Sequence, residues 1–490
     1  MRPILSALAL IAPLLLAAAC STNPATGEQS FTAFMSENDE LRVGAEEHPK
    51  ILKDMGGSFK NPTIQTYVDW VGEKLAKASD RPDLKFTFTV LNDSNINAFA
   101  LPGGYVYITR GLIALAENEA EMAGVLAHEI GHVTARHTAQ RYSAAMATNL
   151  GLLGASILGS VFGVPGDLNR LAGQVGQIYL QSYSREQELE ADMLAVRYMS
   201  KAGYDSRTLE TFFRKMAQHT SITQRVRGRP DEDPADNIMS THPRTSDRIA
   251  QAITLARVPP NANPRVGRED YLARIDGMLW GDSPDEGVVH GRVFEHPELR
   301  FRFEVPPGFY LINSPSQVSA HGPDRTVILF NQLVQKEAAQ VRDMRSYVSS
   351  WGRGRLRGVE RIDVNGLEAA TGSTRTDTSE GVRDVRLVAI RFAKDRIYRF
   401  LFLTPPEATP RRGEDLRRVT YSFRALTETE AKAVKTLKLR VMTVNPGDTP
   451  DKLAGIMPLE SYKLDWFLAL NGLTPGDKLT PGAKVKVVTP

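Results

Sequence analysis

Residues 128–132 read His-Glu-Ile-Gly-His. On a helix, side chains four apart share one face, so His128 and His132 can bind a single small ion at bond lengths near ~2 Å, the coordination zinc prefers. Glu129 sits about 100° further round the helix, where it can reach an attacking water without becoming a ligand. That is the placement of a general base. His137 follows His132 by five positions, about 140° round a continuous helix, and so points off the metal face. Ala135 and Thr138 stand where a three-histidine metzincin would carry Gly and His, which excludes that arrangement. The third ligand must come from another segment.

The best candidate lies in Ser184–Ser200. Glu188 and Asp192 are i and i+4 and share a helix face, with Leu189, Met193 and Val196 as an apolar stripe beside it, whereas Glu190 points nearly opposite and should be solvated. With Glu188 as the third ligand, one zinc position stays open, as a catalytic zinc requires. Asp192 is then placed to accept an imidazole N–H and fix a ligand's tautomer. The alternative for this segment is an acidic, solvated helix face.

Two helices must therefore meet. The first is expected from Asn118 to about Arg141, starting with the capping-box pattern Asn118…Glu121 and carrying Met122, Val125, Leu126 and Ile130 as its core stripe. The second begins near Ser184 and stops before Gly203. Upstream, Leu84–Val90 alternates apolar and polar residues like a half-buried strand, and Asn97–Ala100 is a candidate sheet edge for an extended substrate.

The H-E-x-x-H pattern with a later E-x-x-x-D resembles the gluzincin metallopeptidases of the HtpX and BepA type, a group that includes periplasmic quality-control proteases. Asn23-Pro-Ala-Thr-Gly27 is similar to that family's N-terminal signature. Asn97-Ala-Phe-Ala-Leu-Pro-Gly-Gly-Tyr105 with Val106–Leu112 is similar to the strand and hairpin before its zinc helix. Thr241-His-Pro-Arg-Thr-Ser-Asp-Arg-Ile249 is similar to its T-H-P…R-I motif. The likeness covers roughly residues 21–255. It implies one zinc per chain on His128, His132 and Glu188, Glu129 as general base and Asp192 behind the ligands. It also implies His242 near the metal, either blocking the open position at rest or donating to the oxyanion, and Arg248 as an oxyanion or carboxylate donor.

The first residues read as an export signal. Arg2 is the positive start, Ile4–Leu16 the apolar core, and Ala17-Ala-Ala-Cys20 a small-residue cleavage site. This resembles a bacterial lipoprotein signal. It implies an acylated Cys20 as membrane anchor and, with Ser21 rather than Asp next, an outer-membrane location facing the periplasm. Cys20 is the only cysteine, so no internal disulfide is available. A net charge of +3 over 490 residues, with the charges mixed along the chain, is too mild and too dispersed to argue for nucleic acid, and none is expected as a partner. Leu150–Val164 carries no charge but is short for a bilayer span. It reads as a buried segment or lid beside the site, with a membrane-dipping loop as the alternative.

The fold class expected is α+β, in three parts after a signal peptide at 1–19. Residues 20–281 form a mainly helical metallopeptidase domain with a small sheet. After Asp282–Gly287, residues 288–428 form a small α+β domain, with strands at Leu299–Val305, Val385–Phe392 and Ile397–Leu403 and a helical pattern at Glu337–Ser350. No cluster there suits chemistry, and His290, His296 and His321 read as surface residues. Residues 438–490 resemble a LysM-like module, strand–helix–helix–strand, which implies peptidoglycan as a partner. The function expected is a zinc endopeptidase of the cell envelope acting on misfolded or misassembled envelope proteins. The alternatives are a non-catalytic assembly factor or chaperone on a protease scaffold and, with less support, a peptidoglycan hydrolase.

Overall fold

The computed structural model describes residues 20–148, 182–228, 250–252, 254, 263–379 and 381–490. The signal at 1–19, the apolar Leu150–Val164 stretch and the Thr241–Ile249 motif lie outside these residues. The chain forms two compact units, one of residues up to Met278 together with Leu439–Thr489, the other of Leu279–Lys438.

The first unit opens with a short hairpin of β1 (Cys20–Thr22) and β2 (Gln29–Phe31). Two helices follow, α1 (Glu37–Asp54), closed by a Ser36 capping box, and α2 (Pro62–Ala78), capped by Asn61. Then come β3 (Thr87–Leu91), β4 (Ala98–Leu101) and β5 (Tyr105–Thr109). β5 lies between the others, parallel to β3 and antiparallel to β4, which leaves β4 on an edge. The remaining helices are α3 (Arg110–Leu115), α4 (Glu119–Thr134), α5 (Arg185–Lys201), α6 (Thr208–Val226) and α7 (Arg268–Ile275).

Every residue of α4, which carries His128–His132, is buried. Its polar groups therefore need internal partners. Asn118 accepts from the Glu121 N–H as the N-cap. Glu119 accepts from Tyr67 Oη at 2.7 Å, from Tyr204 Oη at 2.9 Å and from Arg265 Nε at 2.7 Å. Burial pushes this carboxyl up, but the bonds from Arg265 and the two tyrosines outweigh it and hold it below its usual range. Glu121 pairs with Lys215 and accepts from Thr211 Oγ1. Two carboxylates in the first turn also suit the positive end of the helix.

The helix is shorter than its apolar pattern predicts. It ends at Thr134, and Arg136 takes a left-handed backbone at φ 59° before a new helix runs over 137–148. The buried Arg136 side chain donates to Glu40, Ser21 Oγ and the Met35 carbonyl. These contacts hold a turn that no periodicity argument would find.

The C-terminal segment also departs from expectation. Its order is as expected, β16 (Leu437–Thr443), α10 (Pro450–Gly455), α11 (Lys463–Leu470) and β17 (Lys484–Thr489), once the strands and helices of the middle unit are numbered. From Leu439 on, however, it is part of the first unit and not a free module. Lys486 is fully buried and donates to the carbonyls of Ala114, Leu115 and Ala116 at 2.8, 3.1 and 2.8 Å. An ammonium has three N–H donors, and all three end on the C-terminal carbonyls of α3, where a cation is favoured.

The middle unit spans Leu279–Lys438, wider than the expected 288–428. Three antiparallel strands, β6 (Val288–His290), β7 (Val293–His296) and β8 (Phe301–Glu304), lead into seven more. These are β9 (Tyr310–Ser314), β10 (Gln317–His321), β11 (Val327–Gln332), β12 (Arg357–Val364), β13 (Leu367–Thr378), β14 (Gly381–Ala393) and β15 (Arg396–Thr404), in the order β9-β10-β11-β15-β14-β13-β12. β14 and β15, on the expected strands Val385–Phe392 and Ile397–Leu403, pair as an antiparallel hairpin. The helical pattern at Glu337–Ser350 resolves into Gln335–Ala338, followed by α8 (Met344–Trp351), with α9 (Thr409–Ser422) later in the chain. His296 is buried among Phe294 and Phe301, not on the surface.

What positions the site is the crossing of α4 and α5. A Cβ built on Gly131 would lie 3.1 Å from the Ala191 carbonyl oxygen and 3.2 Å from Leu194 Cβ. The obstacle is backbone, which cannot rotate away. Gly131→Ala should therefore separate the helices, at an overpacking cost of about 1–3 kcal/mol against the ~1 kcal/mol that Ala gains in helix propensity. We expect lower stability in denaturant unfolding together with weaker zinc binding; a stabilised variant with unchanged zinc affinity would contradict this packing account.

Candidate metal centre

α4 and α5 bring three ligand atoms to one point. His128 Nε2 and His132 Nε2 are 2.9 Å apart. Glu188 places Oε2 3.7 Å from the first and Oε1 3.4 Å from the second. All three side chains are buried, and among the described residues this is the group of His, Cys, Asp and Glu able to hold an ion. Tetrahedral zinc with bonds near ~2.1 Å has ligand–ligand edges of about 3.4 Å, and the three observed separations scatter around that value. A His₂Glu donor set is one zinc accepts, with a fourth position left open.

The tautomer of His128 follows from its neighbour. Asp192 Oδ1 lies 2.8 Å from His128 Nδ1, so Nδ1 carries the proton and Nε2 presents its lone pair to the metal. The i, i+4 spacing on α5 thus puts a ligand and its orienting partner on one buried face. Ser184 starts that helix with a capping box to Gln187. Glu129 is buried on α4 beside His128.

His132 is packed on its flat side. Tyr183 stacks on it with ring centroids 3.7 Å apart and planes at 15°, and the Arg141 guanidinium lies 3.7 Å over the far face of Tyr183. Burial pushes the Tyr183 phenol up, which keeps it neutral. Tyr183 is one residue before the capping serine, so a short link fixes both the wall of the site and the start of α5. An aromatic in a loop gives no sequence signal for this role.

Two expectations need correction. His137 is not turned away from the centre, because its Nδ1 lies 2.8 Å from His132 Nδ1. The left-handed Arg136 breaks the continuous helix on which His137 would lie about 140° round from His132. Nor is Glu190 a solvated side chain. It is half-buried and bonded to His137 and Asn23. His242 and Arg248 lie outside the described residues.

Comparison with known proteins agrees with this geometry. Residues 62–256 match the family model for Peptidase family M48. The beta-barrel assembly-enhancing protease of Yersinia pestis is 29% identical over 260 residues, 51% of each chain. That of Escherichia coli K12 is 29% identical over 248 residues, 49% of this chain and 48% of its own. The mitochondrial metalloendopeptidase OMA1 of Schizosaccharomyces pombe is 29% identical over 216 residues, 43% of this chain and 59% of its own. The chain spans about half the length of the beta-barrel assembly-enhancing proteases it matches.

Two substitutions separate ligand from support. Asp192→Ala should weaken zinc affinity about 10–100-fold, and Glu188→Gln should weaken it further by removing the anionic ligand. Metal analysis after dialysis against a chelator reads both. Full zinc retention by Glu188→Gln would remove that residue from the ligand set.

Proposed function

We propose that this chain, whose residues 62–256 match the family model for Peptidase family M48, is a zinc endopeptidase of the cell envelope that hydrolyses misfolded or misassembled envelope proteins. The observation that carries the reading is the convergence of His128 and His132 of α4 with Glu188 of α5, beside the buried Glu129 of α4. Bound zinc supplies Lewis-acid activation of water and of the scissile carbonyl. Glu129 takes the proton from the attacking water and delivers it to the leaving amine nitrogen. His128 and His132 hold their lone pairs inward, and Asp192 keeps the His128 proton on Nδ1. The edge position of β4 supports an extended substrate added as a further strand, which reads backbone more than sequence.

The substrate class draws support from relatives named for β-barrel assembly. Location at the outer membrane, facing the periplasm, draws support from the lipoprotein-like Ala17–Cys20 site, with an acylated Cys20 as the anchor. Among the described residues no helix is long and apolar enough to cross a membrane. The C-terminal β–α–α–β run is the candidate contact with peptidoglycan, by resemblance alone.

Glu129→Gln tests the chemistry. It should retain zinc and lose cleavage of an unfolded protein such as reduced casein by about 10²–10⁴-fold; equal cleavage by both proteins overturns the mechanism. Cys20→Ala tests the anchor. The variant should lose labelling by radioactive palmitate and leave the membrane fraction, whereas labelling as in wild type would refute acylation at that residue.

A further inference from the structure

A line of hydrogen bonds leaves the metal centre from the outer nitrogen of His132. His132 Nδ1 is 2.8 Å from His137 Nδ1. His137 Nε2 is 3.2 Å from Glu190 Oε2, and Asn23 Nδ2 donates to Glu190 Oε1 at 2.7 Å. His132, His137 and Asn23 are buried. We propose that His137, Glu190 and Asn23 are positioning residues that hold His132 in the tautomer and orientation its metal bond needs, which makes the N-terminal Asn23–Gly27 turn an outer part of the metal centre.

The protons can be placed in one way only. To present a lone pair at Nε2, His132 must carry its proton on Nδ1 and donate to His137. His137 then accepts on Nδ1 and carries its own proton on Nε2, facing the Glu190 carboxylate. The reverse arrangement would put a proton on His132 Nε2 and remove it as a ligand. Asn23 is fixed independently, because its Oδ1 accepts from the Ala25 N–H at 2.9 Å and only the amide nitrogen is left to face Glu190. The Asn23 carbonyl accepts from Gly27 N–H at 2.8 Å and its N–H donates to the Glu28 carbonyl at 2.7 Å. Gly27 sits at φ 77°, a backbone that suits glycine. The turn is tied to α5 a second time by Arg197, which donates to the Ala25 carbonyl at 2.9 Å. This gives the Asn23-Pro-Ala-Thr-Gly27 signature a physical reason: it delivers one amide to one carboxylate.

The proposal rests on the zinc reading of His128, His132 and Glu188, and the test separates the two. Zinc affinity of the full chain is measured by competition with a chromophoric chelator, and ligand geometry by the visible spectrum of the cobalt(II)-substituted protein. His137→Ala and Glu190→Ala should each lower zinc affinity by about 10-fold or more and alter the cobalt bands. Glu190→Gln should fall between Glu190→Ala and wild type, since one amide oxygen can satisfy only one of the two donors. Asn23→Ala, which leaves the His137 acceptor in place, should lose least. Lower melting temperatures with wild-type zinc affinity and cobalt spectrum would mean a structural staple only, and would overturn the proposal. If His137→Ala does not fold, the Glu190→Ala and Glu190→Gln pair decides: equal affinities overturn it. Wild-type protein that binds no zinc would instead overturn the reading of the centre.

Discussion

The close crossing of α4 and α5 at Gly131 and Ala191 governs the centre. Two imidazoles and a carboxylate must aim lone pairs at one point while buried, where each group would be costly without a partner. The crossing is close only because residue 131 has no side chain to separate the backbones. His128 and His132 flank that glycine on one helix, and Glu188 and Asp192 flank Ala191 on the other. Ligands and the contact that brings them together are thus interleaved in sequence. Neither helix can shift without moving metal donors.

Such a helix needs its polar load balanced along its length. At its start, Glu119 and Glu121 are buried but fully engaged by Tyr67, Tyr204, Arg265, Lys215 and Thr211. At its end, Arg136 adopts a left-handed turn and spends its guanidinium on the N-terminal segment and α1. Lys486 closes the preceding short helix from the far end of the chain. These contacts connect residues separated by 52 to 372 positions. Partly satisfied, they would be a liability; satisfied, they specify one arrangement.

Much of the centre was legible because its chemistry is written at helical spacing. The i, i+4 pairs His128/His132 and Glu188/Asp192 each define a face whatever the rest of the chain does, and the hairpin at Val385–Leu403 shows its period of two. What escaped was set by tertiary contact. A left-handed residue within an unbroken apolar pattern has no local signature when it is Arg and not Gly, and that single residue reverses the expectation for His137. Glu190 looks solvated by helix phase, yet an N-terminal turn far away in sequence covers it. The strand–helix–helix–strand order at the C-terminus was readable, whereas its union with the first unit rests on tertiary contacts such as Lys486 to the α3 carbonyls, Arg225 to Asp465 and Arg268 to the Lys484 carbonyl.

Missing Arg136 also hid a relation between the two ends of the metal domain. The turn that stops α4 does two things with adjacent residues: Arg136 binds Ser21, and His137 reaches Glu190, which binds Asn23. Both lines end on the same short N-terminal stretch, a few residues beyond Cys20. Had the helix continued, His137 would face away and Glu190 would keep Asn23 alone of these two partners. The break therefore converts the helix terminus, usually a frayed end with unsatisfied carbonyls, into a junction where the Ser21–Asn23 stretch meets the surroundings of the metal ligands. Segment and centre are then expected to order together, because each supplies hydrogen bonds the other lacks.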